Sequence, residues 1–331
     1  MKVIIPLAGR GTRLRPHTHV TPKPLVRVGG KPVMSYILDD LERLGVEEIV
    51  FITGYLRDAI EAYIRTEYPG FRARFVEQPI QDGTAGAVRL AEPFIDEDCL
   101  IIFVDTLFDA DLSLTRRLPA GAAGVIWARE VEDYQRFGVI VKDEHGDMRR
   151  IIEKPKDPVS RLANIGLYYI RDWKLLFEGI GHVMTRPPGP SGEFYLTDAF
   201  QYMIDRGARI RVAEVEGWYD CGQFETLIDT NRHVLEHGRS LEPEPASGST
   251  IRPPVRIPPG VTLENATIGP NVTVEAGCDI RGTTLRDCII GRNVTLRDCV
   301  LHDSMVGDHV SLKGVHGRVN IGDHGAVSAE T

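Results

Sequence analysis

Apolar and polar residues follow two different patterns along this chain, and the change falls near residue 240. Before that point, short apolar runs alternate with segments in which apolar residues recur every three or four positions. The runs predict β-strands and the periodic segments predict α-helices. Because strands and helices alternate, we expect an α/β architecture with a mixed, mostly parallel sheet.

The predicted elements of the first 240 residues can be placed within a few positions. The predicted strands cover residues 3–7, 49–53, 74–76, 100–104, 124–127, 139–141, 151–152 and 167–170. The predicted helices cover residues 32–44, 56–68, 84–91, 194–205 and 224–237. Asp105 therefore ends an apolar strand, and Thr84 stands where it could cap a helix.

Beyond a Pro- and Ser-rich segment at residues 242–249, which we interpret as a linker, helical periodicity is almost absent. Apolar residues recur six apart instead, and four of them precede glycine: Ile268, Ile290, Val306 and Ile321. This pattern resembles the left-handed hexapeptide-repeat parallel β-helix, with a small β-sandwich as the alternative. The sequence thus predicts two domains, residues 1–240 and 241–331.

Composition narrows the class of protein. The chain has 331 residues and a net charge of −8, which argues against nucleic acid as a partner, so any cations that bind phosphate must be local. No apolar run is long enough to cross a membrane or to serve as a signal peptide. Five cysteines without a C-x-x-C pair predict reduced thiols and a cytoplasmic location.

The loop after the first strand carries the strongest chemical signal. It contains Gly9 and Gly11, which let backbone N–H groups approach an anion, and Arg13 and Arg15, which supply positive charge. Lys23 follows between two prolines. The loop fits neither the P-loop pattern nor the dinucleotide fingerprint. Since it follows a strand, it lies at the sheet edge where α/β proteins bind ligands.

Two motifs, G-x-G-T-R-L-x-P at residues 9–16 and P-K-P-L at residues 22–25, resemble those of the sugar-1-phosphate nucleotidylyltransferase family. The resemblance covers the whole chain and implies a Rossmann-like nucleotidyltransferase domain. It implies transfer of a nucleotidyl group from a nucleoside triphosphate to a sugar 1-phosphate, with release of pyrophosphate. It assigns phosphate binding to Arg13 and Lys23, as catalytic residues. The nucleotide-binding residues that it implies are Leu7, Ala8, Gly9, Gly11, Thr12, Gln78, Gly83 and Thr84.

The resemblance also implies a Mg²⁺ site. Asp105 and Asp220 match the family's two metal-binding aspartates, and carboxylates are suitable ligands for magnesium between phosphate oxygens. Taken singly, either aspartate could be an ordinary turn residue. Val104 stands where the family usually has glycine, which puts the local fit around nucleotide or metal in question.

On the sugar side, Glu153 and Lys154 match residues that bind sugar hydroxyls and the sugar phosphate, and Lys154 is counted as catalytic. A carboxylate is a good acceptor for hydroxyl groups, although the pair could also be a simple salt bridge at a strand end. Gly138 and Asn164 match further substrate-binding positions.

The resemblance leaves the substrates open. Gln78 favours the members that use dTTP or UTP with glucose 1-phosphate, whereas the segment 83–87 also resembles mannose-1-phosphate guanylyltransferases. A non-catalytic subunit that senses sugar nucleotides is a third reading. The tail histidines (His302, His309, His316 and His324) do not follow the hexad, so exposed turns are expected rather than acyltransferase chemistry. We interpret the tail as an oligomerisation or regulatory element of a homo-oligomer.

Overall fold

The computed structural model describes residues 1–189, 191–243 and 248–329. By their contacts these residues form two compact units. The first unit comprises Met1–Gly9 and Ile37–Trp218, and the second comprises Arg10–Tyr36 and Tyr219–Thr331. This division differs from the boundary at residue 240, which stays a prediction. The middle of the predicted linker, residues 244–247, lies outside the described residues.

The secondary structure follows the predicted order with shifted ends. The helices are α1 (Val33–Leu44), α2 (Arg57–Glu67), α3 (Thr84–Arg89), α4 (Leu114–Arg117), α5 (Trp173–Val183), α6 (Leu196–Asp205) and α7 (Phe224–Val234). The strands up to residue 220 are β1 (Lys2–Pro6), β2 (Arg27–Val28), β3 (Lys31–Pro32), β4 (Glu48–Thr53), β5 (Arg72–Glu77), β6 (Cys99–Ile102), β7 (Thr106–Phe108), β8 (Ala122–Glu130), β9 (Gly138–Lys142), β10 (Met148–Glu153), β11 (Leu162–Ile170), β12 (Arg209–Glu214) and β13 (Trp218–Asp220). The remaining strands are β14 (Thr250–Ile251), β15 (Val255–Arg256), β16 (Thr262–Glu264), β17 (Thr267–Ile268), β18 (Val272–Val274), β19 (Asp279–Arg281), β20 (Thr284–Ile290), β21 (Thr295–Arg297), β22 (Val300–Val306), β23 (Ser311–Lys313), β24 (His316–Gly317), β25 (Asn320–Ile321) and β26 (Ala326–Ser328).

The first unit is built on a mixed sheet with the order β10-β9-β11-β6-β1-β4-β5. Strands β6, β1, β4 and β5 are parallel to one another and form its core. Strand β11 runs antiparallel to β6, β8 and β9, and β12 pairs in parallel with β8. The predicted α/β class with a parallel core is therefore confirmed.

Apolar residues bury both faces of this parallel core, as a sheet between helical layers requires. Ile4 and Ile52 pack with helices α3, α5 and α6, while their neighbours along the strands are equally buried. Helix α5 was not predicted, because Gly179 and Gly181 weaken its helical signal. Gly179 is nevertheless useful in the fold, since an added Cβ would lie 3.0 Å from the Ala199 carbonyl oxygen in α6.

Several predicted boundaries were wrong. Strand β6 ends at Ile102, two residues before the predicted end at residue 104, so Asp105 lies in the connection between β6 and β7. Helix α6 begins at Leu196 rather than at residue 194, and α7 ends at Val234 rather than at residue 237. Strand β12 was missed because Arg209–Glu214 alternates charged with modest apolar residues.

The tail of the second unit is a parallel β-helix. Leu263 pairs with Ile280, Ile280 with Leu296, Leu296 with Leu312 and Leu312 with Val327. Successive coils therefore advance by 17, 16, 16 and 15 residues, which explains why the hexad repeat looked irregular in the sequence. The parallel β-helix is confirmed, whereas its left hand stays a prediction.

The coils bury their cysteines and expose their histidines. Cys278, Cys288 and Cys299 are buried in the core of the β-helix as free thiols. The four tail histidines are exposed as expected, but only His309 and His324 lie in turns, because His302 lies in β22 and His316 begins β24. His309 and His324 occupy equivalent turn positions with positive φ, and their rings stack at 5.0 Å. In the described part of the chain, no helix combines the length and apolarity that a membrane span needs.

The buried position of Leu296 in the β-helix predicts how its replacement changes the free energy of unfolding. Replacing Leu296, which has 0% of its surface exposed, by alanine should lower the free energy of unfolding by about 2–5 kcal/mol, because it leaves a cavity in a closely packed core. Urea denaturation followed by circular dichroism measures this loss. Val300→Ala in the next coil is the control, since Val300 is 45% exposed and should change stability by about 0.5 kcal/mol or less. Equal losses in the two variants would contradict the assigned register.

Candidate functional site

Three parallel strands of the first unit end at one edge of the sheet, and the loops that follow them contact one another. Leu7 and Ala8 come directly after β1. The Leu7 N–H donates to the Ile52 carbonyl oxygen of β4 at 2.7 Å, and Gln81 Nε2 donates to the Ala8 carbonyl oxygen at 2.7 Å. Gly54 must be small, because an added Cβ would lie 3.0 Å from Ala8. This is the sheet edge where the sequence predicted a ligand.

The loop after β5 contains the predicted base-recognition residues. Gln78 is buried, and its side-chain Nε2 donates to Asp82 Oδ1 at 3.1 Å and to the Gly83 carbonyl oxygen at 3.4 Å. Gly83 has a φ of 111° and lies so close to Phe194 that an added Cβ would be 2.5 Å from its carbonyl oxygen. The side-chain amide of Gln78 therefore stabilises the conformation of this loop.

Thr84 has a different role from the predicted one. Its side chain does not cap α3, the helix that it begins. Its hydroxyl oxygen instead accepts the Leu196 N–H at 2.9 Å, at the start of α6. The Phe194 N–H donates to the Asp82 carbonyl oxygen at 2.7 Å. These bonds join the base-side loop to the segment that begins α6.

The antiparallel half of the sheet brings three predicted sugar-side residues together. Glu153, the last residue of β10, is the register partner of Gly138, the first residue of β9. Asn164 lies within β11, not after a strand end, and its Nδ2 donates to the Gly138 carbonyl oxygen at 2.9 Å. An added Cβ on Gly138 would lie 2.4 Å from Asn164 Nδ2 and 2.9 Å from Glu153 Oε2. Only glycine fits between these two side chains.

Electrostatics at Glu153 are unusual for a carboxylate. Burial raises its pKa, and the Lys154 charge and a hydrogen bond from Thr197 oppose that rise. Thr197 Oγ1 donates to Glu153 Oε2 at 3.2 Å, and Lys154 Nζ lies 3.8 Å from Glu153 Oε1. Lys154 Nζ also lies 5.4 Å from the centre of the Tyr195 ring. Glu153 is therefore a poorly solvated carboxylate that lies beside the exposed ammonium of Lys154.

Lys154 has a backbone conformation that L-residues rarely adopt. Its φ is 44°, in the left-handed region, and its N–H donates to the Phe137 carbonyl oxygen at 3.0 Å. A non-glycine residue in this region costs roughly 1–3 kcal/mol and persists only where its surroundings impose it. This conformation holds the Lys154 ammonium near Glu153 and the Tyr195 ring at a cost in backbone energy.

Asp105 is half-buried in the connection between β6 and β7. After burial itself, the charges of Glu153 and Asp105 raise the pKa of the Tyr168 hydroxyl. That hydroxyl donates to Asn164 Oδ1. Asp105 therefore lies near the group formed by Gly138, Glu153 and Asn164 in the first unit, which we call the sugar-side cluster.

The predicted phosphate-binding cations belong to the second unit, on the segment of residues 10–36, which we call the arm. Gly11 has a φ of 61°, and an added Cβ there would lie 2.9 Å from Lys23 Cβ. Thr18 Oγ1 donates to the Gly11 carbonyl oxygen at 2.8 Å. The glycine therefore closes the arm onto itself and brings Lys23 beside the loop. Thr12 and Arg13 follow on a short 3₁₀ turn.

Arg13, Lys23 and Asp220 converge on Gly222. The Gly222 N–H donates to Asp220 Oδ1 at 2.7 Å. An added Cβ on Gly222 would lie 2.8 Å from Asp220 Oδ1, 3.4 Å from Arg13 Nη2 and 3.5 Å from Lys23 Nζ. Arg13 and Lys23 lie some 200 residues from Asp220 in the sequence, yet the fold holds all three side chains around Gly222.

The donor set is suitable for magnesium. Among the described residues, no three or more His, Cys, Asp or Glu side chains are grouped as a metal site would need. Mg²⁺ does not require such a group, since one or two carboxylates with water and substrate phosphates usually hold it. Asp105 belongs to the first unit and Asp220 to the second. Their use of a common ion stays a prediction.

Sequence reasoning missed three side chains of the sugar-side cluster, namely Tyr168, Tyr195 and Thr197. Each acts on a predicted residue: Tyr168 donates to Asn164, Tyr195 lies under the Lys154 ammonium, and Thr197 donates to Glu153. The sequence around these three residues contains little that indicates a role for them.

Comparison with known proteins defines the class. The nucleotidyl transferase family profile matches residues 2–237, so the chain belongs to this family. A UTP–glucose-1-phosphate uridylyltransferase of Haloferax volcanii, AglF, is 32% identical over 71% of this chain and 97% of its own length. A glucose-1-phosphate thymidylyltransferase of Streptomyces antibioticus is 29% identical over the whole of both chains.

A solved structure supports the same class. A UDP-glucose pyrophosphorylase crystallised with UDP-glucose superposes with a TM-score of 0.62 at 25% identity. The match covers 71% of this chain and 98% of that one. The protein is therefore a sugar-phosphate nucleotidyltransferase by family and fold, and the relatives that span its full length also include the tail.

The raised pKa of Glu153 leads to a prediction about stability. Because folding disfavours the charged form of Glu153, its carboxylate lowers stability once the pH is above the ordinary range for glutamate. Glu153→Gln should therefore raise the free energy of unfolding at pH 7–8 by roughly 0.5–2 kcal/mol. The gain should shrink as the pH falls through roughly 4–5, where both states of the wild-type carboxyl become protonated.

Chemical denaturation at several pH values measures this gain. Glu132→Gln, on an exposed residue, is the matched control and should change stability little. A Glu153→Gln variant that is less stable than the wild type at pH 8 would show that the Lys154 and Thr197 contacts outweigh burial.

Proposed function

We propose that the protein transfers a nucleotidyl group from dTTP or UTP to glucose 1-phosphate with the help of Mg²⁺. The observation that carries the proposal is the convergence of Arg13, Lys23 and Asp220 on Gly222. Two fixed cations beside a carboxylate are what a magnesium-bound polyphosphate requires. On an acidic chain of net charge −8, such local placement is the means of attracting a triphosphate.

On the nucleotide side, Arg13 and Lys23 bind the triphosphate, and the backbone around Gly9 and Gly11 follows its oxygens. Arg13 suits this role because its guanidinium stays charged and makes paired hydrogen bonds to phosphate. Gln78 and Gly83 lie on the base-side loop, where Gly83 keeps the backbone close to Phe194. The loop's rigid hydrogen bonds give a preformed surface for a base.

On the sugar side, Glu153 accepts hydrogen bonds from sugar hydroxyls and Lys154 binds the sugar phosphate. The burial of Glu153 strengthens such bonds, because a poorly solvated carboxylate gains more from a donor than one in water. Asn164 supports this side through Gly138. Glu153→Gln is accordingly expected to raise the KM for the sugar phosphate by about tenfold or more.

The reaction needs no proton transfer. An oxygen of the sugar phosphate, already anionic, forms a bond to the α-phosphorus, and the bond from that phosphorus to the bridging oxygen breaks. Pyrophosphate leaves with the electron pair, next to Arg13 and Lys23. Bound to Asp105 and Asp220, Mg²⁺ would neutralise charge on the phosphate oxygens. The chain contributes mainly positioning and charge neutralisation.

The choice of substrates rests on the relatives. Names that specify UTP with glucose 1-phosphate and thymidylyl transfer to glucose 1-phosphate occur among the proteins most similar to this one. The sequence of the segment 83–87 keeps GTP with mannose 1-phosphate as the second candidate. Cytoplasmic location and homo-oligomeric assembly remain part of the proposal.

A release assay for pyrophosphate tests the function. The full-length protein is incubated with Mg²⁺ and each of dTTP, UTP, GTP, ATP and CTP, with glucose 1-phosphate or mannose 1-phosphate. We expect the highest kcat/KM for glucose 1-phosphate with dTTP or UTP. Turnover of GTP with mannose 1-phosphate alone would replace this assignment by the second candidate. Sugar-nucleotide binding without turnover of any pair would identify a sensing subunit instead.

A single substitution tests the metal assignment. Asp105→Asn should reduce kcat by at least about 100-fold while the protein stays folded, because the amide cannot hold the cation that screens the phosphates. Asp111→Asn is the matched control, since Asp111 is an exposed carboxylate paired with Arg117. Wild-type kcat in Asp105→Asn, across the range of Mg²⁺ concentrations, would refute a metal role for this residue.

A further inference from the structure

The arm that carries Arg13 and Lys23 is anchored to the β-helix at points spread along its length. His17 Nε2 lies 2.7 Å from Asn320 Oδ1, and Arg27 Nη1 lies 3.6 Å from Asp308 Oδ2. Pro16 lies against Gly322, where an added Cβ would be 3.0 Å from the proline Cβ. These contacts tie the middle and the end of the arm to the last coils.

A further anchor is fully buried and passes through helix α7. Asn231 has 1% of its surface exposed, and its Oδ1 accepts the Gly29 N–H at 2.9 Å and the Thr273 hydroxyl at 2.7 Å. Its Nδ2 donates to the Asn271 carbonyl oxygen at 3.3 Å. One amide thus joins the arm to two residues of the β-helix. Since both partners of Oδ1 are inaccessible to water, losing this amide leaves a buried donor unsatisfied.

The neighbouring residues of α7 extend the same connection. Thr230 Oγ1 donates to the Asp220 carbonyl oxygen at 3.1 Å. Arg232 clamps the helix onto the β-helix, with Nε 2.7 Å from Asp287 Oδ1 and Nη2 2.8 Å from Asp303 Oδ1. Three consecutive residues of α7 therefore hold Asp220, the arm and the β-helix.

We propose that Asn231 is a positioning residue for the nucleoside triphosphate, through which the β-helix fixes the arm that bears Arg13 and Lys23. The inference rests on the proposed function and extends it, because it gives the tail a direct part in substrate affinity. Loosening the arm makes the two cations lose preorganisation, so the triphosphate must order them on binding. The sugar-side residues do not depend on this bond.

The test compares variants of the full-length protein that break this connection at different points. Asn231→Ala removes all three bonds of the amide. Thr273→Val removes the bond that the Thr273 hydroxyl donates to Asn231 and leaves the bonds of the amide to Gly29 and Asn271, whereas Thr273→Ser keeps the hydroxyl. Thr283→Val is the matched control: Thr283 is another buried threonine of the β-helix, and its hydroxyl bonds only to Arg281 and Cys299.

Two readouts are measured on each variant. The first is the Kd of inorganic triphosphate with Mg²⁺, by titration calorimetry, together with the KM values for the nucleotide and the sugar phosphate. The second is hydrogen exchange at the Gly29 amide. We expect Asn231→Ala to raise the triphosphate Kd and the nucleotide KM about tenfold and Thr273→Val about threefold. The sugar-phosphate KM should stay within about twofold. Exchange at Gly29 should speed up in both variants, and Thr273→Ser should behave as the wild type.

Other results overturn the proposal. Unchanged triphosphate affinity in folded Asn231→Ala, despite faster exchange at Gly29, would show an anchor without any part in binding. An equal loss of affinity in Thr283→Val would show a general effect of β-helix stability. A wild-type protein that binds no triphosphate would remove the proposed function and this inference with it. The exchange data alone would then still tell whether Asn231 holds the arm.

Discussion

Two cations held beside a carboxylate around Gly222 form the interaction on which the rest of the second unit depends. Arg13 and Lys23 repel each other, and the chain as a whole is acidic, so their proximity has to be maintained by the fold. Flexible cationic side chains lose considerable rotamer freedom when they are fixed, and a phosphate site is effective only when that loss precedes binding. Gly11 and the buried Asn231 are the means by which this chain fixes them, one within the arm and one beneath it.

The sugar-side cluster of Gly138, Glu153 and Asn164 is organised differently. The Glu153 carboxylate is poorly solvated, and the Thr197 hydroxyl and the nearby Lys154 ammonium offset part of the cost of its burial. The adjacent Lys154 adds backbone strain. Both features lower the stability of the free protein, and under the proposed function the hydroxyls and the phosphate of the sugar phosphate would offset this loss. Such a site is stable because β9, β10 and β11 hold Gly138, Glu153 and Asn164 in fixed register, and register is a property of the whole sheet.

Sequence reasoning succeeded where a short-range pattern had one interpretation. The parallel core strands and the β-helix were predicted because their apolar residues must face a core at a regular interval. It failed where a tertiary contact decided the outcome. Thr84 looked like a cap of its own helix, yet its hydroxyl serves Leu196, more than a hundred residues away. Helix α5 contains glycines that lower its helical propensity but permit close packing on α6. The placement of Asn164 inside β11 likewise depends on its strand partners and leaves no local signal.

The contacts of the β-helix tail indicate what it contributes to this chain. The Haloferax relative matches 71% of this chain with nearly all of its own length, so the family's chemistry does not demand a β-helix. In this chain, however, the arm contacts Asp308, Asn320 and Gly322 of the coils directly. Asn231 of α7 links it further to Thr273 and Asn271. A tail that served oligomerisation alone would not need buried polar contacts to the arm and to Asn231 of α7, because each buried polar group adds a desolvation cost that a partner must offset. These contacts indicate that the β-helix and the arm fold as one unit, so that the rigidity of the coils is passed to Arg13 and Lys23.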